Sequence, residues 1–210
     1  MERCLLFIVV LAELGKFMEP LLISTGVVAL AEIGDKTQLL AFILAARFKK
    51  PLPIILGILV ATLVNHGLAG ALGAWITASV DADILRWVLG VSFIAMAVWT
   101  LIPDKIEEEE TAVALKLGVF GATLVTFFLA EMGDKTQIAT VALAAHYAAP
   151  LMVVAGTTLG MLIADVPAVF LGDKLSGRIP MTLVHRIAAA IFAGLGIATL
   201  LGAGNTWIAY

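Results

Sequence analysis

Glu32-Ile33-Gly34-Asp35-Lys36-Thr37-Gln38 recurs 99 positions later as Glu131-Met132-Gly133-Asp134-Lys135-Thr136-Gln137, identical at six of seven positions. Each copy interrupts a long apolar run. A charged side chain at the centre of a bilayer costs about 3 kcal/mol on insertion scales, so such residues mark function by default. Two copies at one offset describe a duplicated unit with a single site drawn from both halves. The repeat extends beyond the heptad: Leu30-Ala31 matches Leu129-Ala130, Leu44-Ala45-Ala46 matches Leu143-Ala144-Ala145, and Pro51 matches Pro150. Gly57 matches Gly156, Gly73 matches Gly172, and Phe93 matches Phe192.

Composition sets the class. The chain of 210 residues is 61% hydrophobic and 14% charged, with a mean hydropathy of +1.07. Soluble domains hold about 25% charged residues, so these values describe an integral membrane protein. The formal net charge of −3 carries little information, because the charges are clustered. No basic stripe points to nucleic acid. The single Cys4 excludes an intrachain disulfide and a Cys-rich metal site.

Apolar runs predict an all-α membrane protein with six transmembrane helices near 20–46, 52–78, 84–102, 117–146, 150–172 and 183–204. Each approaches the roughly 20 residues a helix needs to cross the hydrocarbon. Gly156-x-x-x-Gly160 and Gly118-x-x-Gly121 predict closely packed helices, and the alternation of a β-barrel strand is absent. Cys4 to Ala12 is apolar but too short to span, and no clear signal-cleavage pattern follows it. Residues 1–17 are therefore read as an extension, with Met18 an alternative start.

Each half holds three spans, and an odd number forces the second half to enter from the opposite side. The prediction is two inverted three-helix repeats, 18–102 and 117–210, joined by an acidic cytoplasmic linker over 103–116. Basic residues place the loops. Arg47, Lys49 and Lys50 mark loop 1–2, Lys105 and Lys116 loop 3–4, and Lys174, Arg178 and Arg186 loop 5–6. Only Arg86 falls on the other side. Loops 1–2, 3–4 and 5–6 are then cytoplasmic and both termini outside; Arg3 and Lys16 oppose that N-terminus, in keeping with an extension.

If the heptads are helical, Glu32 and Asp35 share a face, as do Glu131 and Asp134. Inverted symmetry gathers the four carboxylates at mid-membrane, where unpaired anions cannot coexist. They must be protonated, paired with Lys36 and Lys135, or bound to a cation. Gln38, Gln137, Thr37 and Thr136 would add neutral oxygens, and Gly34 and Gly133 would weaken the helix and expose carbonyls. With four carboxylates and two ammonium groups ionised, the site carries a charge of −2. One divalent cation neutralises it, and so do two protons. Competing loads of that kind are the electrostatic requirement of a cation/proton antiporter. Oxygen-only donors suit Ca2+, Mn2+ and Mg2+, of which Mg2+ dehydrates most reluctantly.

Blander readings stand beside these. The heptads could be ion-pair networks that lock two helices, although charges at this depth are rarely kept for packing. Lys36 and Lys135 read better as counter-ions than as transport groups. His66 and Asp165, aligned with each other by the offset, are either supporting ligands and proton-relay groups or hydrogen-bonded helix contacts. Asn65 precedes His66. Met132 reads as packing, since Ile33 is its partner in the first copy. Glu107 to Glu110 read as a solvated loop. Trp75, Trp87, Trp99 and Trp207 fit interfacial belts.

With its doubled Glu-x-Gly-Asp-Lys-Thr-Gln, the chain resembles the Glu-x-Gly-Asp-Lys-[Ser/Thr] family of cation/proton antiporters over roughly residues 18–205. That family includes Golgi and chloroplast calcium/manganese transporters and bacterial manganese exporters. The resemblance implies six helices in two inverted repeats and manganese or calcium moved against protons, with no cofactor. It places functional roles on Glu32, Asp35, Lys36 and Thr37 and on Glu131, Asp134, Lys135 and Thr136. The ligand role of Gln38 and Gln137 rests on the residues alone. The short central loop resembles the bacterial branch, which implies Mn2+ export across the inner membrane. The alternatives are a Ca2+/H+ antiporter, a small-solute exporter or channel of similar plan, and an intramembrane hydrolase. Two nearly identical heptads argue against the hydrolase, because acid and base need distinct environments. Oligomeric state is left open by the sequence.

Overall fold

Gly34 and Gly133 decide the local architecture. Both adopt a left-handed backbone, with φ of 85° and 75°. That conformation is open to glycine and stops a right-handed helix. The runs 20–46 and 117–146, expected as continuous helices, are therefore each split in two. In the computed structural model, residues 2–102, 117–171 and 181–202 are described. The linker 103–116, Gly172, Lys174, Arg178 and Trp207 lie outside them.

Among the described residues every regular element is a helix: α1 Glu2–Glu32, α2 Lys36–Phe48, α3 Pro51–Ser79 and α4 Ala82–Thr100, then α5 Gly118–Glu131, α6 Lys135–Tyr147, α7 Pro150–Leu171 and α8 Met181–Leu200. Three of them, α3, α4 and the Pro150–Phe170 part of α7, are long and apolar enough to cross a membrane. Gly118–Glu131 and His185–Leu200 are shorter apolar helices. The 99-residue period is visible in the backbone. Lys49 and Ala148 both end a half-helix in the left-handed region, at φ 52° and 49°. A proline then opens each following helix, Pro51 in α3 and Pro150 in α7.

The halves interlock. α1 packs along α7, α5 along α3, and α4 along α8, so the main partners come from opposite halves. Small residues permit the approach. A Cβ on Gly57 would lie 2.7 Å from Thr123 Cβ, and one on Gly160 2.7 Å from Thr25 O. On Gly156 it would run into the carbonyl of Leu21. The expected packing at Gly156-x-x-x-Gly160 is thus present. At Gly118-x-x-Gly121 it is not: Gly118 has nothing within 4 Å, and Gly121 faces only Leu117 of its own turn. Gly118 serves instead as a left-handed residue where α5 begins, at φ 71°.

One core cluster joins α4, α6 and α8, where the repeat equivalents Phe93 and Phe192 stack with centroids 6.5 Å apart. A second joins α2, α3, α5 and α7 around Leu44, Ile58, Phe127 and Met161. The surface is the reverse of a soluble protein's. Leu22, Leu68, Trp75, Leu151 and Phe170 are exposed while Glu32, Asn65, His66, Glu131 and Asp165 are fully buried. An apolar exterior around a polar interior is the arrangement a lipid solvent selects.

Candidate metal centre

Each heptad is a helix end, a turn and a new helix start. Glu32 closes α1 and Glu131 closes α5. Asp35 is the N-cap of α2 at φ −84°, ψ 172°, and Asp134 the N-cap of α6 at φ −79°, ψ 166°. The expectation that Glu32 and Asp35 share the face of one helix, and likewise Glu131 and Asp134, is thus overturned by the two glycines. The break has an electrostatic logic. N-terminal helix ends stabilise the two aspartates, whereas the C-terminal ends of α1 and α5 add partial negative charge beside the two glutamates. A cation relieves the second pair.

The turns share their central bonds. Asp35 N donates to Glu32 O at 3.0 Å, and Asp134 N to Glu131 O at 3.2 Å. Gly34 N donates to Gln38 Oε1 at 3.0 Å, and Gly133 N to Gln137 Oε1 at 2.7 Å. Gln38 and Gln137, expected to offer oxygens to a metal, thus turn those oxygens to the glycine amides. Their NH2 groups reach across the protein: Gln38 Nε2 donates to Ala164 O at 2.9 Å on α7, and Gln137 Nε2 to Asn65 Oδ1 on α3. Pro167 lies inside α7. Its missing N–H and its ring bear on the carbonyl of Ile163, the residue before Ala164. Asn65 in turn donates to Phe128 O at 3.2 Å. A sequence signal for the break was present, because Asp35-x-x-Gln38 and Asp134-x-x-Gln137 carry the spacing of a capping box.

Thr37 donates to Glu32 Oε2 at 2.6 Å, and Thr136 to Glu131 Oε2 at 3.0 Å. The other oxygen of each glutamate, Oε1, has no hydrogen-bond partner among the described residues. The lysines cross over between halves. Lys135 Nζ lies 2.7 Å from Asp35 Oδ2, and Lys36 Nζ 3.9 Å from Asp134 Oδ1. The two pairs are unequal: Lys135 is 3% exposed and Lys36 25%.

Carboxylate oxygens of Glu32, Asp35 and Asp134 all lie within 4.8 Å of one another, and all three residues are buried. Two oxygens on one Ca2+-sized ion are at most about 5 Å apart, so this triad fits a single divalent cation. Glu131 is buried but is not one of the three. Asp165 is fully buried with both oxygens unpartnered among the described residues, within electrostatic reach of Glu32, Glu131 and Asp35. His66 is fully buried, and neither ring nitrogen has a partner among the described residues. Met132 is largely exposed in its turn rather than packed. One contact to a turn was missed: His185 on α8 lies 3.2 Å from Ile33 O. Nothing in the sequence marks it, because it depends on how α8 docks.

Comparison with known proteins identifies a family. The family "Divalent cation/proton antiporter GDT1" matches residues 20–108 and again 119–207, offset by the same 99 residues as the heptads. A protein of Vibrio cholerae named "Putative manganese exporter" is 51% identical over 183 residues, 87% of this chain and 90% of that protein. A rice "GDT1-like protein 3" is 30% identical over 218 residues, covering 91% of this chain and 77% of its own length. A GDT1-like protein of Synechocystis is 31% identical over 184 residues, 79% of this chain and 88% of its own. No solved structure matches. The chain belongs to the GDT1 family of divalent cation/proton antiporters.

Proposed function

We propose that the protein exports Mn2+ from the bacterial cytoplasm in exchange for protons, with Ca2+ as the alternative cargo. The observation that carries this reading is the buried triad of Glu32, Asp35 and Asp134, drawn from both halves and bridged by Lys135 to Asp35 and Lys36 to Asp134. With Asp165 holding a proton, the four heptad carboxylates and two ammonium groups carry −2, which M2+ or two protons neutralise in turn. The enclosure does not favour holding both loads or neither. Glu32, Asp35, Glu131 and Asp134 are assigned to the metal, Thr37 and Thr136 to orienting the glutamates, and the lysines to charge balance. Asp165 and His66 are assigned to proton relay: both are fully buried without hydrogen-bond partners among the described residues, and Asp165 lies within electrostatic reach of the cluster. The choice of manganese draws on the oxygen-only donor set and on the name of the Vibrio relative.

The supporting architecture is six spans in two inverted repeats, 18–102 and 117–210, with each broken pair, α1–α2 and α5–α6, counted as one span. Reciprocal lysine–aspartate pairs and the Phe93–Phe192 stack support it, since equivalents meet in this way near a two-fold axis. Broken helices meeting near mid-membrane are a common plan for ion sites in secondary transporters. The reading places the protein in the inner membrane, loops 1–2, 3–4 and 5–6 in the cytoplasm and both termini outside. Proteoliposomes loaded with Mn2+ and given an imposed pH gradient test the function. The reading requires flux that follows the gradient and vanishes in the Asp35→Ala, Asp134→Ala double variant. Flux indifferent to the gradient and surviving that substitution would sink it.

A further inference from the structure

The first turn is held by a contact that its counterpart lacks. His185 Nε2 lies 3.2 Å from the carbonyl oxygen of Ile33, the residue directly after Glu32 and two before Asp35. A carbonyl only accepts, so Nε2 carries the proton in this bond. The offset puts Arg86 where the other half would need a matching donor. Its guanidinium instead lies 3.8 Å from Asp83 and over the ring of Trp87, 5.9 Å from the centroid. Among the described residues no side chain is shown bonded to the Met132 carbonyl. Two further bonds of this turn, from Asp35 N and Gly34 N, have equivalents in Asp134 N and Gly133 N. Asp35 also caps α2 by accepting from Lys36 N at 2.7 Å, a bond not repeated at the start of α6.

α8 packs chiefly along α4 and also touches α1. The His185 bond therefore ties the α4–α8 pair to the turn that carries two of the three clustered carboxylates. We propose that His185 is a positioning residue for cation binding: by holding the Ile33 carbonyl it fixes the spacing of Glu32 and Asp35, leaving the Asp134 turn as the unlatched side. The cation-binding consequence rests on the antiporter reading above; the latch itself does not. A hydrogen bond of ordinary net strength corresponds to about a threefold to tenfold change in an equilibrium constant.

The test uses the full chain in proteoliposomes, with Mn2+ as the probe, and compares wild type with His185→Ala, His185→Phe, His185→Gln and Arg86→Ala. His185→Phe keeps a ring but no donor and guards against a cavity effect in the alanine variant. Loss of the donor is expected to raise KM for Mn2+ about threefold to tenfold while Vmax stays within about twofold. His185→Gln, which offers an N–H, returns KM toward wild type, and Arg86→Ala leaves it unchanged. Amide exchange, read without metal, should quicken over residues 33–38 in the alanine and phenylalanine variants and stay constant over 132–137. An unchanged KM, a Vmax loss that glutamine does not rescue, or equal exchange in both turns overturns the proposal. Should wild type carry no Mn2+, the manganese reading fails, and the exchange comparison still decides the latch.

Discussion

Replacing each lysine of the site by methionine should have very unequal effects. Lys135 Nζ is 2.7 Å from Asp35 Oδ2 with both side chains buried, whereas Lys36 Nζ is 3.9 Å from Asp134 Oδ1 and a quarter exposed. Removing one partner of a buried pair costs about 3–5 kcal/mol, because the surviving charge keeps its desolvation penalty. A longer, part-exposed pair contributes about 1 kcal/mol or less. For a chain of this length 1 kcal/mol corresponds to about 2–4 °C in Tm. Lys135→Met should then lower Tm by roughly 6–20 °C and Lys36→Met by no more than about 4 °C. Tryptophan fluorescence during thermal unfolding in detergent, in metal-free buffer, reads both. Adding Asp35→Asn to Lys135→Met should recover part of the loss, since the stranded charge goes with it. Equal shifts for the two lysines, or no recovery in the double variant, would refute the reasoning.

Further outcomes follow from the same geometry. Gly156→Ala drives a Cβ into the Leu21 carbonyl, so a loss of about 1–3 kcal/mol is expected, while Gly67→Ala, with nothing within 4 Å, should be neutral or stabilising. Denaturation of the two variants side by side checks this. Thr37→Val leaves Glu32 Oε2 without its hydroxyl donor and should weaken Mn2+ transport about tenfold, with Thr37→Ser close to wild type. A serine variant as impaired as valine would contradict the hydroxyl's role. Gln137→Leu and Asn65→Leu remove opposite ends of one bond, so their stability losses should be non-additive by about 0.5–3 kcal/mol; strict additivity in a double-mutant cycle would count against it.

Much of the site was legible because its residues are chemically expensive where they stand. Charge inside apolar runs identified Glu32, Asp35, Lys36 and their second copies, and the shared offset tied the two together. The same reasoning singles out Asp165 and His66, which the fold buries fully. The helix break is legible in part: Gly34 and Gly133 read as weak points of a helix, but only the capping spacing of Asp35 with Gln38 marks where the next one starts. Without it Gln38 and Gln137 looked like ligands, whereas their oxygens accept from the glycine amides. His185 stayed invisible, since its contact joins residues 152 apart in the chain.

The sequence by itself determined an α-helical membrane protein, its duplication and the charged heptad that recurs in both halves, because hydropathy and period are read residue by residue. Tertiary structure decided which half supplies each partner. Lys135 meets Asp35, α1 lies along α7, and only three of the four carboxylates converge within 4.8 Å. Those outcomes depend on how closely backbones approach at residues such as Gly156 and Gly160, and on the left-handed turns at Gly34 and Gly133. Such distances arise from packing the whole chain, which no local pattern encodes.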